Sequence, residues 1–361
     1  MPLRLACFSL FVLGCATGCE NRSSGANLDA RAGRADAMGP DGRTDPNSDA
    51  NAGEQPPGEP TTVRFLAFGD FGKRNEGQLR AAAAMRSVCA AYGCDFAVLL
   101  GDNIYNAGVR SIDDELWQST FEMPYRDLDF PFYAALGNHD YGGRLLGLDA
   151  GGIGNEWDKG LHEVAYTQRS QRWKMPATHY TFAKGPVGFI ALDTNAALWS
   201  NTEHGDQAAW LPSAVAQIAD RPWKIVFGHH PYLSNGKHGN AGSYDAPELG
   251  GFNLPNPLPI QNGRAFKRFM DDHVCGIGDV YLAGHDHARM WLNEPGKLCG
   301  MEMIVSGAAA SPEALQDRGN AMHYEDGTKV GFLHVEVTAT SFKGRFFDAD
   351  GNLDFEREVR R

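Results

Sequence analysis

Short apolar runs of strand length recur along this chain, and most stop at a turn carrying glycine beside Asp, Asn or His. Residues 63–68 run into Gly69-Asp70-Phe71-Gly72, residues 96–100 into Gly101-Asp102, and residues 131–136 into Gly137-Asn138-His139-Asp140. Residues 187–192 lead to Asp193, 223–227 to Gly228-His229-His230-Pro231, 280–283 to Gly284-His285-Asp286-His287, and 301–305 to Ser306-Gly307. Runs this short and this apolar read as buried strands. Glycine at their ends lets backbone pass close to a ligand or cation. In open α/β sheets, ligand chemistry collects where strands end. The pattern therefore predicts a sheet protein whose chemistry is gathered at strand ends.

Helix-like stretches lie between the runs. Residues 76–91 are Ala-rich and stop just before Gly93, as a helix with a C-terminal glycine would. Residues 206–220 and 263–273 are amphipathic. Near the C-terminus, residues 330–336 and 341–348 read as strands of a sheet edge. Strands alternating with helices, then strands alone, predict an α/β fold of layered sheets flanked by helices. Residues 142–176 and 233–262 lack periodicity and follow polar turns, so they are expected to be loops over the site.

The ends and the charge narrow the setting. The chain opens Met1-Pro2-Leu3-Arg4, continues through an apolar stretch to Leu13, and reaches small residues ending at Gly18-Cys19. This is the pattern of a secretory signal, and it is too short to span a membrane. Ending on a cysteine, residues 1–18 resemble a bacterial lipoprotein signal, with Cys19 or Cys15 as the lipidated residue. Residues 19–60 are rich in Gly, Ala, Asp, Asn, Ser and Pro and cannot bury enough apolar surface to offset their ordering entropy, so they read as a disordered tether. Residues 61–361 are long enough for one large α/β catalytic domain. The expected location is exported, tethered by lipid to the cell envelope or secreted. Net charge is −12, which excludes the basic surface that non-specific nucleic-acid binding needs. Beyond the signal there are Cys89, Cys94, Cys275 and Cys299. An even count in an exported chain suggests two disulfides, and proximity favours Cys89–Cys94 and Cys275–Cys299.

Candidate metal ligands at the strand ends are Asp70, Asp102, Tyr105, Asn138, His229 or His230, His285 and His287. A carboxylate such as Asp102 can bridge two cations. Tyr105 is a hard anionic oxygen ligand once a trivalent metal lowers its pKa, which suits an iron-type centre better than plain zinc. His285-Asp286-His287 on a strand would put both rings on one face.

Taken in order, Gly-Asp-X-Gly, Gly-Asp-X-X-Tyr, Gly-Asn-His-Asp, Gly-His-X-Pro and Gly-His-X-His resemble the motifs of the calcineurin-like metallophosphoesterases. Tyr105 narrows the resemblance to purple acid phosphatases. Ala107-Gly108-Val109 and Lys237-His238-Gly239 look most like the small tartrate-resistant type. The resemblance spans residues 62–347 and implies two mixed β-sheets packed as a sandwich flanked by helices. It also implies Fe(III) held by Asp70, Tyr105 and His287, and a second divalent ion (Fe, Zn or Mn) held by Asn138, His229 and His285. Asp102 would bridge the two ions, and His230 is the alternative to His229. His139 and His238 match histidines that touch the substrate phosphate or leaving group. The implied reaction is hydrolysis of small phosphate monoesters by a metal-bound hydroxide, with a mildly acidic optimum. A phosphodiesterase on the same scaffold and a non-catalytic phosphate-binding surface lipoprotein are the competing readings. Oligomeric state is not legible.

Overall fold

The computed structural model describes residues 58 and 60–361, apart from 246–247, 250–251, 254–258, 295, 297 and 317. The signal segment 1–18, and the tether 19–60 apart from residues 58 and 60, lie outside the described residues. Strands are β1 (Thr62–Phe68), β2 (Phe96–Leu100), β3 (Phe132–Ala135), β4 (Trp173–Lys174), β5 (Tyr180–Lys184), β6 (Val187–Ala191) and β7 (Trp223–Phe227). They continue with β8 (Val280–Ala283), β9 (Arg289–Leu292), β10 (Glu302–Ser306), β11 (Met322–Asp326), β12 (Gly331–Thr338), β13 (Ser341–Asp348) and β14 (Leu353–Arg360). One seven-stranded sheet runs β14-β13-β12-β1-β2-β3-β4, the other β11-β9-β10-β8-β7-β6-β5. The first is parallel on one side, through β1, β2, β3 and β4, and antiparallel on the other, whereas the second has antiparallel strands at both ends. The second is parallel through β6, β7, β8 and β10.

The sheets face each other across an aromatic core, which is the expected sandwich. Phe65 stacks on Phe96 at 5.1 Å between ring centres, and both meet Phe189 of the opposite sheet edge-on. In the second sheet, alternate residues serve different cores. Phe189, Ile225, Phe227, Val280, Leu282 and Ile304 join the core between the sheets. Their neighbours Ile190, Val226, Tyr281, Met303 and Val305 face a separate core. Successive strand side chains point to opposite faces, so a strand covered on both faces must be apolar throughout. That is why these segments read as unbroken apolar runs.

Helix α1 (Glu76–Tyr92) begins where Asn75 Oδ1 accepts the Gln78 N–H at 2.9 Å, and it ends at Gly93, with φ of 80°. It buries Ala81, Met85 and Val88 in the core that the first sheet shares. Further helices are α2 (Trp157–Tyr166), α3 (Thr194–Trp199), α4 (Gln207–Gln217) and α5 (Arg264–Phe269), the last running into a π-turn at Met270–Val274. The segment expected as a loop over 142–176 therefore holds α2 and β4. Gly160 inside α2 and the shortness of β4 hide both from a periodicity search. Strands β5, β9, β11 and β14 were also not anticipated, since their sequences mix charged and apolar residues. Both expected disulfides are present, with Cα–Cα distances of 5.1 Å for Cys89–Cys94 and 4.7 Å for Cys275–Cys299. Among the described residues, no helix is long and apolar enough to cross a membrane.

Candidate metal centre

Every motif turn leaves the C-terminal end of a parallel strand, and the two sheets bring these ends to one place. Asp70 follows β1, Asp102 follows β2, Asn138 and His139 follow β3, His229 follows β7, and His285 follows β8. His287 lies on the link from β8 to β9. Asp70, Asp102 and His285 have φ of 59°, 50° and 68°, a left-handed backbone unusual for residues other than glycine. Such conformations persist where surrounding structure imposes them, typically at functional sites. Glycine is needed where turns abut. A Cβ at Gly137 would lie 2.2 Å from Asp102 Oδ1, and one at Gly284 would lie 2.6 Å from Asp70 Oδ2.

The side chains form two overlapping groups. In the first, the Tyr105 hydroxyl lies 2.8 Å from Asp102 Oδ2, 3.1 Å from Asp70 Oδ1 and 3.1 Å from His287 Nε2. In the second, His229 Nε2 lies 3.0 Å from Asn138 Oδ1, 3.1 Å from His285 Nδ1 and 3.4 Å from Asp102 Oδ1. Asp102 belongs to both. His229 Nδ1 faces the Leu100 carbonyl at 2.8 Å, so that nitrogen carries the proton and Nε2 presents a lone pair inward. His285 Nε2 is buried without a hydrogen-bond partner among the described residues.

Lone pairs outnumber protons here. One hydroxyl proton on Tyr105 cannot satisfy two carboxylates and an imidazole at once, and an unsatisfied buried acceptor is costly. Burial, reinforced by Asp102 and Asp70, pushes the Tyr105 phenol well above its usual pKa. Burial also drives the His285 imidazole well below its usual value. Burial raises the Asp102 carboxyl, but His229 and His139 outweigh this and hold it below the ordinary range. The donor set of carboxylate, phenol, amide and imidazole nitrogens fits a pair of hard or borderline cations.

His230 is also fully buried, with Nδ1 2.9 Å from Thr194 Oγ1 and Nε2 without a partner. Its ring nitrogens lie within reach of His229 and His285. It makes no contact with Asp102, Asn138 or Tyr105. The expectation that His285 and His287 share one strand face fails, because β8 stops at Ala283. A tight turn follows, with Asp286 N–H bonded to Gly284 O at 2.8 Å and Ala288 N–H to Asp286 O at 2.7 Å. The two rings thus diverge, His285 to His229 and His287 to Tyr105.

His139 packs at a tilt against Tyr105 with ring centres 4.3 Å apart, its Nδ1 2.7 Å from Asn106 O. His238 presents Nδ1 to Asp245 at 2.9 Å and stacks on His285 at 4.1 Å. Burial disfavours its charge, but the bond to Asp245 and the nearby Asp286 win, so its pKa is raised.

Several contributors escaped the sequence reading. Lys73 Nζ lies 3.1 Å from His287 Nδ1, and Glu313 Oε1 lies 3.6 Å from the same nitrogen. Burial lowers the Lys73 pKa. Asp140 ties two motif turns together, accepting from Gly137 N at 2.7 Å and Ile104 N at 2.9 Å. Asn103 Nδ2 sits 3.1 Å from both Asp140 and Glu163, the latter supplied by α2. Burial pushes the Glu163 carboxyl up to about 8. Asp286 accepts the His238 amide at 2.7 Å and so sets that loop. Asp140 and Asp286 lay within the motifs and Lys73 beside one. Glu163, Asp245 and Glu313 had no local signal.

The calcineurin-like phosphoesterase family model matches residues 63–289. Human tartrate-resistant acid phosphatase type 5 is 25% identical over 342 residues, covering 84% of this chain and 93% of that protein. Arabidopsis thaliana purple acid phosphatase 3 is 26% identical over 317 residues, covering 83% and 78%. Among solved structures, GAP50, the anchor in the inner membrane complex of Plasmodium, superposes with a TM-score of 0.63 at 19% identity. That match covers 83% of this chain and 89% of the other, and it bears on the fold alone.

Proposed function

The chain belongs to the calcineurin-like phosphoesterase family, metal-dependent hydrolases of phosphoric esters, and from that premise we propose that it is a phosphate monoesterase with a two-metal centre. The surplus of buried lone pairs around Tyr105 and His229 carries this reading. Asp70, Tyr105 and His287 would hold a ferric ion, and Asn138, His229 and His285 a divalent Fe, Zn or Mn. Asp102 touches both groups, which supports sharing it between the ions. His229 is preferred over His230 because it alone meets Asn138 and Asp102. Bound there, the ions would polarise phosphoryl oxygens and activate water.

The chain's own residues do the rest. The cleft has a volume of about 550 Å³ and is lined by Lys73, Arg74 and Lys237 as well as Asp102, Tyr105, Asn138, His285 and His287, with Lys237 paired to Glu313 at 3.2 Å. Positive charge from Arg74 and the bound ions would suit the dianionic phosphoryl group of a monoester better than the single charge of a diester. His238 donates from Nδ1–H to the Asp245 carboxylate, which favours the cationic ring, and in that form Nε2–H is available to a phosphoryl oxygen or the departing alkoxide. His139 is held by Asn106 O so that Nε2 faces Asp102 at 4.0 Å, on the cleft side. Turnover of p-nitrophenyl phosphate against the bis-p-nitrophenyl ester tests the assignment. A monoester preference supports it, and a diester preference transfers the site to the phosphodiesterase reading.

The leader supports export, with Cys19 or Cys15 lipidated. Incorporation of radioactive palmitate that survives both Cys19→Ser and Cys15→Ser would refute the anchor.

A further inference from the structure

The cleft is open beside Tyr105. A second cavity of about 700 Å³ begins there and shares Arg74, Tyr105 and Asn106 with it. Most of the charge on its far wall is internally cancelled. Lys159 Nζ lies 2.8 Å from Glu156 Oε2, and Arg144 Nε lies 3.4 Å from Glu156 Oε1 and 3.8 Å from Asp149 Oδ1. Asp114 directs its oxygens to the backbone N–H groups of Arg110 and Leu116, each at 3.0 Å.

Two guanidiniums remain without a carboxylate among the described residues. Arg74 is oriented by bonds from Nη1 to Tyr105 O at 2.8 Å and Thr120 Oγ1 at 3.3 Å, which fixes it on the boundary between the two cavities. Arg110 stands on the wall of the second cavity, and its side chain makes no ion pair. In a chain of net charge −12, Arg74 and Arg110 against the single remaining carboxylate, Asp114, leave a net positive charge beside the phosphoester cleft, a local field that draws anions. A planar guanidinium fork matches phosphate oxygens, and two forks lining one cavity favour a group with several such oxygens.

We propose that this second cavity receives the leaving group, and that it selects monoesters whose leaving group carries a second phosphate. This rests on the cleft being the phosphatase site. Arg74 meets the substrate near the scissile ester, and Arg110 meets the distal phosphate.

The test compares phosphate release from glucose 1,6-bisphosphate and glucose 6-phosphate by the metal-loaded enzyme, with p-nitrophenyl phosphate as reference. The wild type should favour the bisphosphate in kcat/KM by about tenfold, well beyond the twofold that two ester groups give by number. Arg110→Gln should cut that preference about fivefold through KM, to the twofold set by number, and Arg110→Lys should restore part of it. Raising ionic strength should erode the preference in the wild type. If the three substrates are turned over with no preference, or Arg110→Gln leaves the ratio unchanged, the pocket assignment is wrong while the phosphatase reading stands. If none is turned over, both are wrong.

Discussion

Two buried clusters bring carboxylates out of water in this fold, and they answer the cost in opposite ways. Near one antiparallel end of the second sheet, Arg289 is fully buried with Nη2 2.5 Å from Asp326 and 2.8 Å from Asp354, both half-buried. Lys329 adds a second cation 2.8 Å from Asp354. That cluster carries its own positive charge. At the parallel strand ends, Asp70 and Asp102 meet Tyr105 and three imidazoles, and among the described residues neither carboxylate pairs with an Arg or Lys. Lys73 approaches from outside, 3.1 Å from the outer nitrogen of His287 and 4.9 Å from the centre of the Tyr105 ring. A buried carboxylate needs a counter-charge. Where the chain supplies one, the cluster is structural; where it supplies lone pairs instead, the counter-charge comes from solution.

The most severe way to break the comparison is to remove the residue that both metal groups share. Asp102→Ala should lower p-nitrophenyl phosphate turnover by on the order of 10³-fold, with loss of bound metal by elemental analysis. Full activity and full metal content in that variant would contradict the shared role. Next comes the internally neutralised cluster. Arg289→Met leaves Asp326 and Asp354 facing each other, so urea unfolding should show a loss of about 3–5 kcal/mol. Metal content per folded molecule should stay the same. A variant that keeps its stability but sheds metal would show that the two clusters are not separate devices.

A smaller effect sharpens the contrast. His334 is buried in the first sheet, satisfied by the Gly93 carbonyl 2.9 Å from Nε2, and it needs no outside cation. Burial lowers its pKa from 6.5 to about 4. Between those values the unfolded chain binds more protons, so the contribution of neutral His334 is complete above pH 6.5 and is lost as pH falls towards 4. The stability difference between the wild type and His334→Gln should shrink by about 3 kcal/mol over that window. Metal-linked pH effects are common to both proteins and cancel. A difference that stays flat with pH would remove the assignment.

The comparison also explains what could be read from sequence. Asp70, Asp102, Tyr105, Asn138, His229 and His285 stood out because each sits within a few residues of an apolar run, and strand ends are legible when both faces of the strand are buried. Strands β9 and β11, which carry Arg289 and Asp326, were invisible. Their charged residues pair across strands far apart in sequence, so no local period marks them. Glu163, Asp245 and Glu313 were missed for the same reason: each reaches the site from a segment whose own sequence says nothing about it. The divergence of His285 and His287 was misjudged because a period of two holds only while a strand lasts, and β8 stops before either ring.

The visible spectrum of the purified, metal-analysed protein tests the central claim most directly. Two metal ions per chain, one of them ferric, should give a tyrosinate-to-iron band that disappears in Tyr105→Phe. A colourless protein, fully active with zinc or manganese alone and indifferent to Tyr105→Phe, would contradict the ferric centre.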